Sequence, residues 1–162
     1  MSILNINTTS GIVTSNDTRQ LTIVTQPTST GWNASVNVAQ TLANINRITI
    51  HHTGAESDGP VDITLAGFNE RWRTMPGGPW SHPGYHFVIR PNGDVWQISR
   101  LTRTSNGVGG HNNNNIHIAV MGLFWDGVIP RPERNSGTPY GENSRILTAT
   151  AYIITALSSK FI

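Results

Sequence analysis

The 162-residue chain has no cysteine, which excludes disulfide staples and thiolate metal ligands within it. Charge is also scarce. Asp, Glu, Lys and Arg make up 12% of the residues, the net charge is +2 and the isoelectric point is near 9.5. The Lys and Arg residues are scattered and form no basic patch dense enough to grip nucleic acid. No stretch approaches the roughly 18 apolar residues that would cross a membrane. The N-terminus, Met1 to Asn7, lacks the basic start and apolar core of a signal peptide. These absences lead us to expect a chain made in the cytoplasm, exported if at all by another route, with neither nucleic acid nor membrane as partner.

What is present is a globular composition, 36% hydrophobic, with much of its polarity carried by Asn, Thr and Ser. Length and composition imply one domain with a full core. Residues 1–40 read as an N-terminal extension with one short strand near Leu21–Val24, either packed against the domain or partly mobile. Residues 36–45 read as a short helix or an irregular lead-in. From Arg47 to His52 the period is two: Ile48 and Ile50 face one way, Arg47, Thr49 and His51 the other. Asp62 is placed to cap a helix over 63–74, stopped by Met75-Pro76-Gly77-Gly78. Tyr85–Ile89 and Val95–Ser99 flank Pro91-Asn92-Gly93-Asp94, a strong hairpin signal. Ile116–Leu123 is nearly continuous apolar sequence, as in a strand covered on both faces. Residues 144–161 carry the best helical stripe: Ile146, Leu147, Thr150, Ile153, Ile154, Leu157 and Phe161. This order predicts an α/β fold, a mixed central β-sheet flanked by helices.

The chemistry concentrates where the first strong strand ends, in Ile50-His51-His52-Thr53-Gly54. An imidazole at a strand mouth is held by the sheet yet open to solvent, which suits metal ligation or catalysis. The same position also suits a satisfied structural histidine, and the residues alone leave both readings open. His52 points away from His51 and reads as a core or supporting residue. His86, alternating away from Tyr85, reads as structural, and His82 as a surface loop residue. Trp72, Trp80 and Trp96 read as core or rim packing, with Trp80 also placed to line a groove before Tyr85.

Three blocks in order carry a family resemblance. Ile48-Thr49-Ile50-His51-His52-Thr53-Gly54-Ala55 resembles the first-ligand strand of the N-acetylmuramoyl-L-alanine amidases of the amidase-2 and peptidoglycan-recognition-protein superfamily. Gly84-Tyr85-His86-Phe87-Val88-Ile89 with Asn92-Gly93 resembles its second strand and hairpin. Gly107-Val108-Gly109-Gly110-His111, then Asn114-Asn115-Ile116 and Ala119-Val120-Met121-Gly122, resembles its glycine-histidine loop and core strand.

That resemblance implies an amidase-like domain over 41–162, hydrolysing the bond between N-acetylmuramic acid and L-alanine in bacterial peptidoglycan. It implies a phage lysin that reaches the cell wall after release from the host cytoplasm, with a wall-binding domain downstream as a usual companion. His51 matches a zinc ligand and Tyr85 the tyrosine facing the zinc-bound water or the developing oxyanion. His111, Thr53 and Trp80 match or neighbour the groove for the stem peptide. His117 stands where the family usually has a small residue and receives no role. The family's other zinc ligands, a histidine and a cysteine or aspartate beyond the long C-terminal helix, have no counterpart after His117. The expectation is therefore a chain whose C-terminal part is missing or, alternatively, a metal-free module that binds peptidoglycan without cleaving it.

Overall fold

The computed structural model describes residues 4–19, 21–25, 38–53, 84–121 and 145–162, together with Gly67, Glu70 and Thr74. Its centre is a five-stranded mixed sheet. β3 (Ile23–Thr25), β4 (Arg47–His52), β5 (Phe87–Ile89), β6 (Val95–Gln97) and β7 (Asn115–Val120) lie in the order β3-β6-β5-β7-β4. β5 and β6 are the antiparallel hairpin that Pro91–Asp94 announces. Gly93 takes φ +89, and the turn closes with Gly93 N–H donating to the Arg90 carbonyl at 2.9 Å. The other pairings, β3 with β6, β5 with β7 and β4 with β7, are parallel.

The two faces of the sheet are built differently. On one, Phe87, Ile89, Val95, Ile116, Ile118 and Val120 pack with the C-terminal helix α1 (Arg145–Phe161). The helix buries Ile146, Ala149, Ile153, Ala156 and Leu157. Leu147, expected in its buried stripe, is 45% exposed, and the small Ala149 and Ala156 take the contact positions. The sheet's pleat gives the opposite face to Val88, Trp96, Ala119 and Met121, which form a second apolar cluster with Ile98. That face also carries the histidines.

The N-terminal residues do more than the single expected strand. β1 (Leu4–Ile6) and β2 (Val13–Ser15) form a hairpin, and β3 adds an edge to the main sheet. Leu4, Val13 and Leu21 belong to the helix-side core. Gln97 ties the hairpin down: its side chain accepts from Val13 N–H at 2.8 Å and donates to the Gly11 carbonyl at 2.8 Å. The lead-in before β4 is a short 3-10 turn, Leu42–Asn44. The strand expected from Ile116 runs from Asn115 with all six residues buried. Within the helix expected over 63–74, Gly67, Glu70 and Thr74 are helical; the rest of it lies outside the described residues. Among the described residues no helix is long and apolar enough to cross a membrane.

Candidate active site

β4 and β7 run side by side in parallel, with Thr49 opposite His117 and His51 opposite Ala119. Side chains two apart on each strand share a face, so Arg47, Thr49 and His51 line up beside Asn115 and His117. Three polar pairs step along this seam. At its start Arg47 Nη1 donates to His111 Nδ1 at 3.4 Å. Next, Asn115 Nδ2 donates to Thr49 Oγ1 at 2.9 Å. At the mouth of the strand His51 Nε2 and His117 Nδ1 are 3.0 Å apart.

Tyr85 completes this end. Its ring centroid lies 5.1 Å from that of His51, tilted by 43°, and it packs against the cluster of Val88, Trp96, Ile98, Ala119 and Met121. Regular strand begins only at Phe87, so the two-residue alternation does not extend back to Tyr85 and His86. Both reach the histidine face. His86 is fully buried and structural, as expected. Its Nε2–H donates to the Arg103 carbonyl at 2.8 Å, while its Nδ1 accepts from the His117 amide at 3.0 Å. The His86 amide in turn donates to the His117 carbonyl at 2.8 Å.

His51 is half-buried, and burial pushes its pKa below the ordinary 6.5, with the neighbouring His52 acting in the same direction. His117 is pushed down to about 3, first by burial and then by His86 and His51. Both imidazoles are therefore neutral near pH 7 and keep a lone pair, as metal ligation or proton acceptance requires. His52 is exposed rather than in the core, because alternation at the end of an edge strand turns it outward.

Other sequence-based site residues fall at different distances. Thr53 is buried just past His51, its amide donating to the Val120 carbonyl at 3.1 Å. His111 sits at the Arg47 end of the seam, four residues before His51 along β4, which is roughly 13 Å of strand. Trp80 and His82 lie outside the described residues. His117 is the residue that sequence reasoning left without a role. A signal for it existed: a histidine inside a strand buried on both faces must find a partner for its ring nitrogens.

The family model for N-acetylmuramoyl-L-alanine amidase matches residues 41–160. The chain belongs to that amidase family. Solved structures share its fold. The Ph2119 endolysin from a Thermus scotoductus bacteriophage matches with TM-score 0.60 and 21% identity, over 85% of this chain and 79% of the other. The amidase LysC from Clostridium intestinale gives 0.56 and 22%, over 86% and 77%. Drosophila peptidoglycan recognition protein SD gives 0.59 and 19%, over 86% and 76%. No curated protein sequence matches the chain.

The amidase family is typically zinc-dependent, and the described residues meet that requirement only in part. A neutral imidazole on a rigid strand end, as His51 is, fits one ligand position. Catalytic zinc takes three protein ligands. No group of three His, Asp or Glu side chains with metal-holding geometry occurs among the described residues.

Proposed function

We propose that this chain is a peptidoglycan hydrolase of the phage lysin type that cleaves the amide between N-acetylmuramic acid and L-alanine. The observation that carries the reading is the facing of His51 and Tyr85 at the mouth of β4, inside the stretch that the amidase family model matches. His51 would supply one zinc ligand, while no group of three metal-holding side chains occurs among the described residues. When bound, zinc supplies Lewis acidity that polarises a carbonyl and acidifies water. The chain's own contribution is geometric and electrostatic. Tyr85 donates a phenolic hydrogen bond to the oxyanion that develops on the scissile carbonyl. The apolar wall of Val88, Trp96, Ala119 and Met121 behind it lowers the local dielectric, which strengthens that bond. The roughly 13 Å of β4 from His51 back to Arg47, whose side chain meets His111, is the reach of about four extended residues. A stem peptide of that length lies along it, with Thr53 at the cleavage end and His111 at the far end.

The test is a wall digest with added zinc. Purified peptidoglycan releases new α-amino groups from L-alanine with no new reducing sugar ends. Reducing ends without amines would replace amide cleavage by glycosidic cleavage. A second reading, a recognition module that binds wall peptide without cutting it, draws on the incomplete ligand set among the described residues. It predicts wall co-sedimentation with no amine release at any zinc concentration.

A further inference from the structure

His51 rests on a pedestal of two further imidazoles. The His117 ring stacks on that of His86, with centroids 6.1 Å apart and planes within 4°. The exchange of bonds between the His86 and His117 backbones and the His86 ring, described above, fixes both residues from below. The third wall is Gly107, whose missing side chain makes room for the ring. A Cβ there would stand 2.3 Å from His117 Nδ1 and 2.6 Å from Cγ. His117 is thus fully buried and held on three sides. Its Nε2 has no hydrogen-bond partner among the described residues, so Nδ1 carries its one polar contact, to His51 Nε2.

We propose that His117 is a positioning residue: its Nδ1 pairs with His51 Nε2 and leaves Nδ1 of His51 as the nitrogen that faces metal or substrate. The proposal rests on the zinc amidase reading for what His51 then does, but the pairing itself stands on the geometry. A separation of 3.0 Å is a hydrogen-bond length for two nitrogens that share one proton. With zinc on His51 Nδ1, that proton belongs to His51 Nε2 and His117 accepts it. This is the arrangement by which a neighbour fixes the tautomer and ring angle of a metal-ligating histidine. An imidazole here replaces the carboxylate or carbonyl acceptor more often used, and its neutrality avoids adding charge beneath the site.

Ring-labelled ¹⁵N-histidine NMR tests the pairing without relying on activity. A nitrogen–nitrogen coupling across the hydrogen bond is expected between His51 Nε2 and His117 Nδ1, persisting on zinc addition with the proton on His51 Nε2. Zinc titration of substituted proteins gives the second readout. H117A is expected to weaken zinc binding about 10–100-fold. H117N recovers part of that loss, because an asparagine amide oxygen falls near the place of Nδ1. H117Q, closer in volume, places its amide nearer Nε2 and does not recover it. Loss of the coupling on zinc addition would mean that both nitrogens ligate the metal, at about 3.3 Å for tetrahedral bonds, and would overturn the proposal. So would zinc affinity unchanged in H117A, or better recovery by Gln than by Asn. A wild-type protein that shows the coupling and binds zinc yet releases no amine overturns the amidase reading and leaves the positioning role in place.

Discussion

The two faces of the central sheet solve opposite problems with the same five strands. The face under α1 is a closed apolar layer in which Phe87, Ile118, Ile153 and Leu157 have no accessible surface. The other face buries two histidines, His86 and His117, and a glutamine-anchored loop beside a smaller apolar cluster, and it opens at the half-buried His51. The first face is held by area removed from water. The second is held by specific donors and acceptors, where a single misplaced atom costs more than a lost methyl group. Stability and chemistry are thereby separated across the thickness of one sheet.

The sharpest way to break that comparison is to remove one residue from each side. His51→Ala is expected to lower amine release from peptidoglycan to the level of a protein-free control while shifting the unfolding midpoint little. Ile118→Ala on the helix side reverses the pattern, costing about 2–5 kcal/mol of stability in urea titrations, with activity per folded molecule retained. If Ile118→Ala destroyed turnover at full folding, the separation of roles would fail.

Tyr85→Phe sharpens the chemistry face alone. It keeps the ring against Val88 and Ala119 but removes the hydroxyl, and kcat is expected to fall about 10²–10³-fold with KM for wall fragments nearly unchanged. A change confined to KM would make Tyr85 a binding residue. Gly107→Ala tests the pedestal. The added Cβ would stand 2.3 Å from His117 Nδ1, well inside van der Waals contact, so a loss of about 1–3 kcal/mol from overpacking is expected, along with weaker pairing of His51.

The smallest effect is on pH. The His117 pKa is pushed down to about 3 in the folded protein against 6.5 ordinarily, and His51 moves the same way. Between those values the unfolded chain binds the extra protons, so stability is complete above about pH 6.5 and is lost as pH falls through the window toward 3. Denaturation midpoints of metal-free protein at pH 8 and pH 5 are expected to fall more in wild type than in H117N. Equal falls would assign the acid sensitivity to other groups.

Much of this was legible in the residues. The Pro91–Asp94 turn, the alternation of β4 and the stripe of α1 are local, encoded over spans shorter than twenty residues. Local patterning also placed His51 at a strand mouth. It misjudged Leu147 because a helical stripe gives an average direction, whereas the actual contact line is set by where the sheet lies. It undercounted the N-terminal strands because three-residue segments such as Leu4–Ile6 carry almost no periodic signal.

What the sequence by itself determined is the set of elements β4 to β7 and α1, the family and the histidine at the end of the first strong strand. Tertiary structure alone decided which residues meet that histidine. His117 lies 66 positions away and reaches His51 only because β4 and β7 pair in parallel with Thr49 opposite His117. A register shift of one residue would turn that imidazole to the helix side and dissolve the pair. Register depends on the sum of contacts along the whole seam, so no local pattern around either histidine contains it.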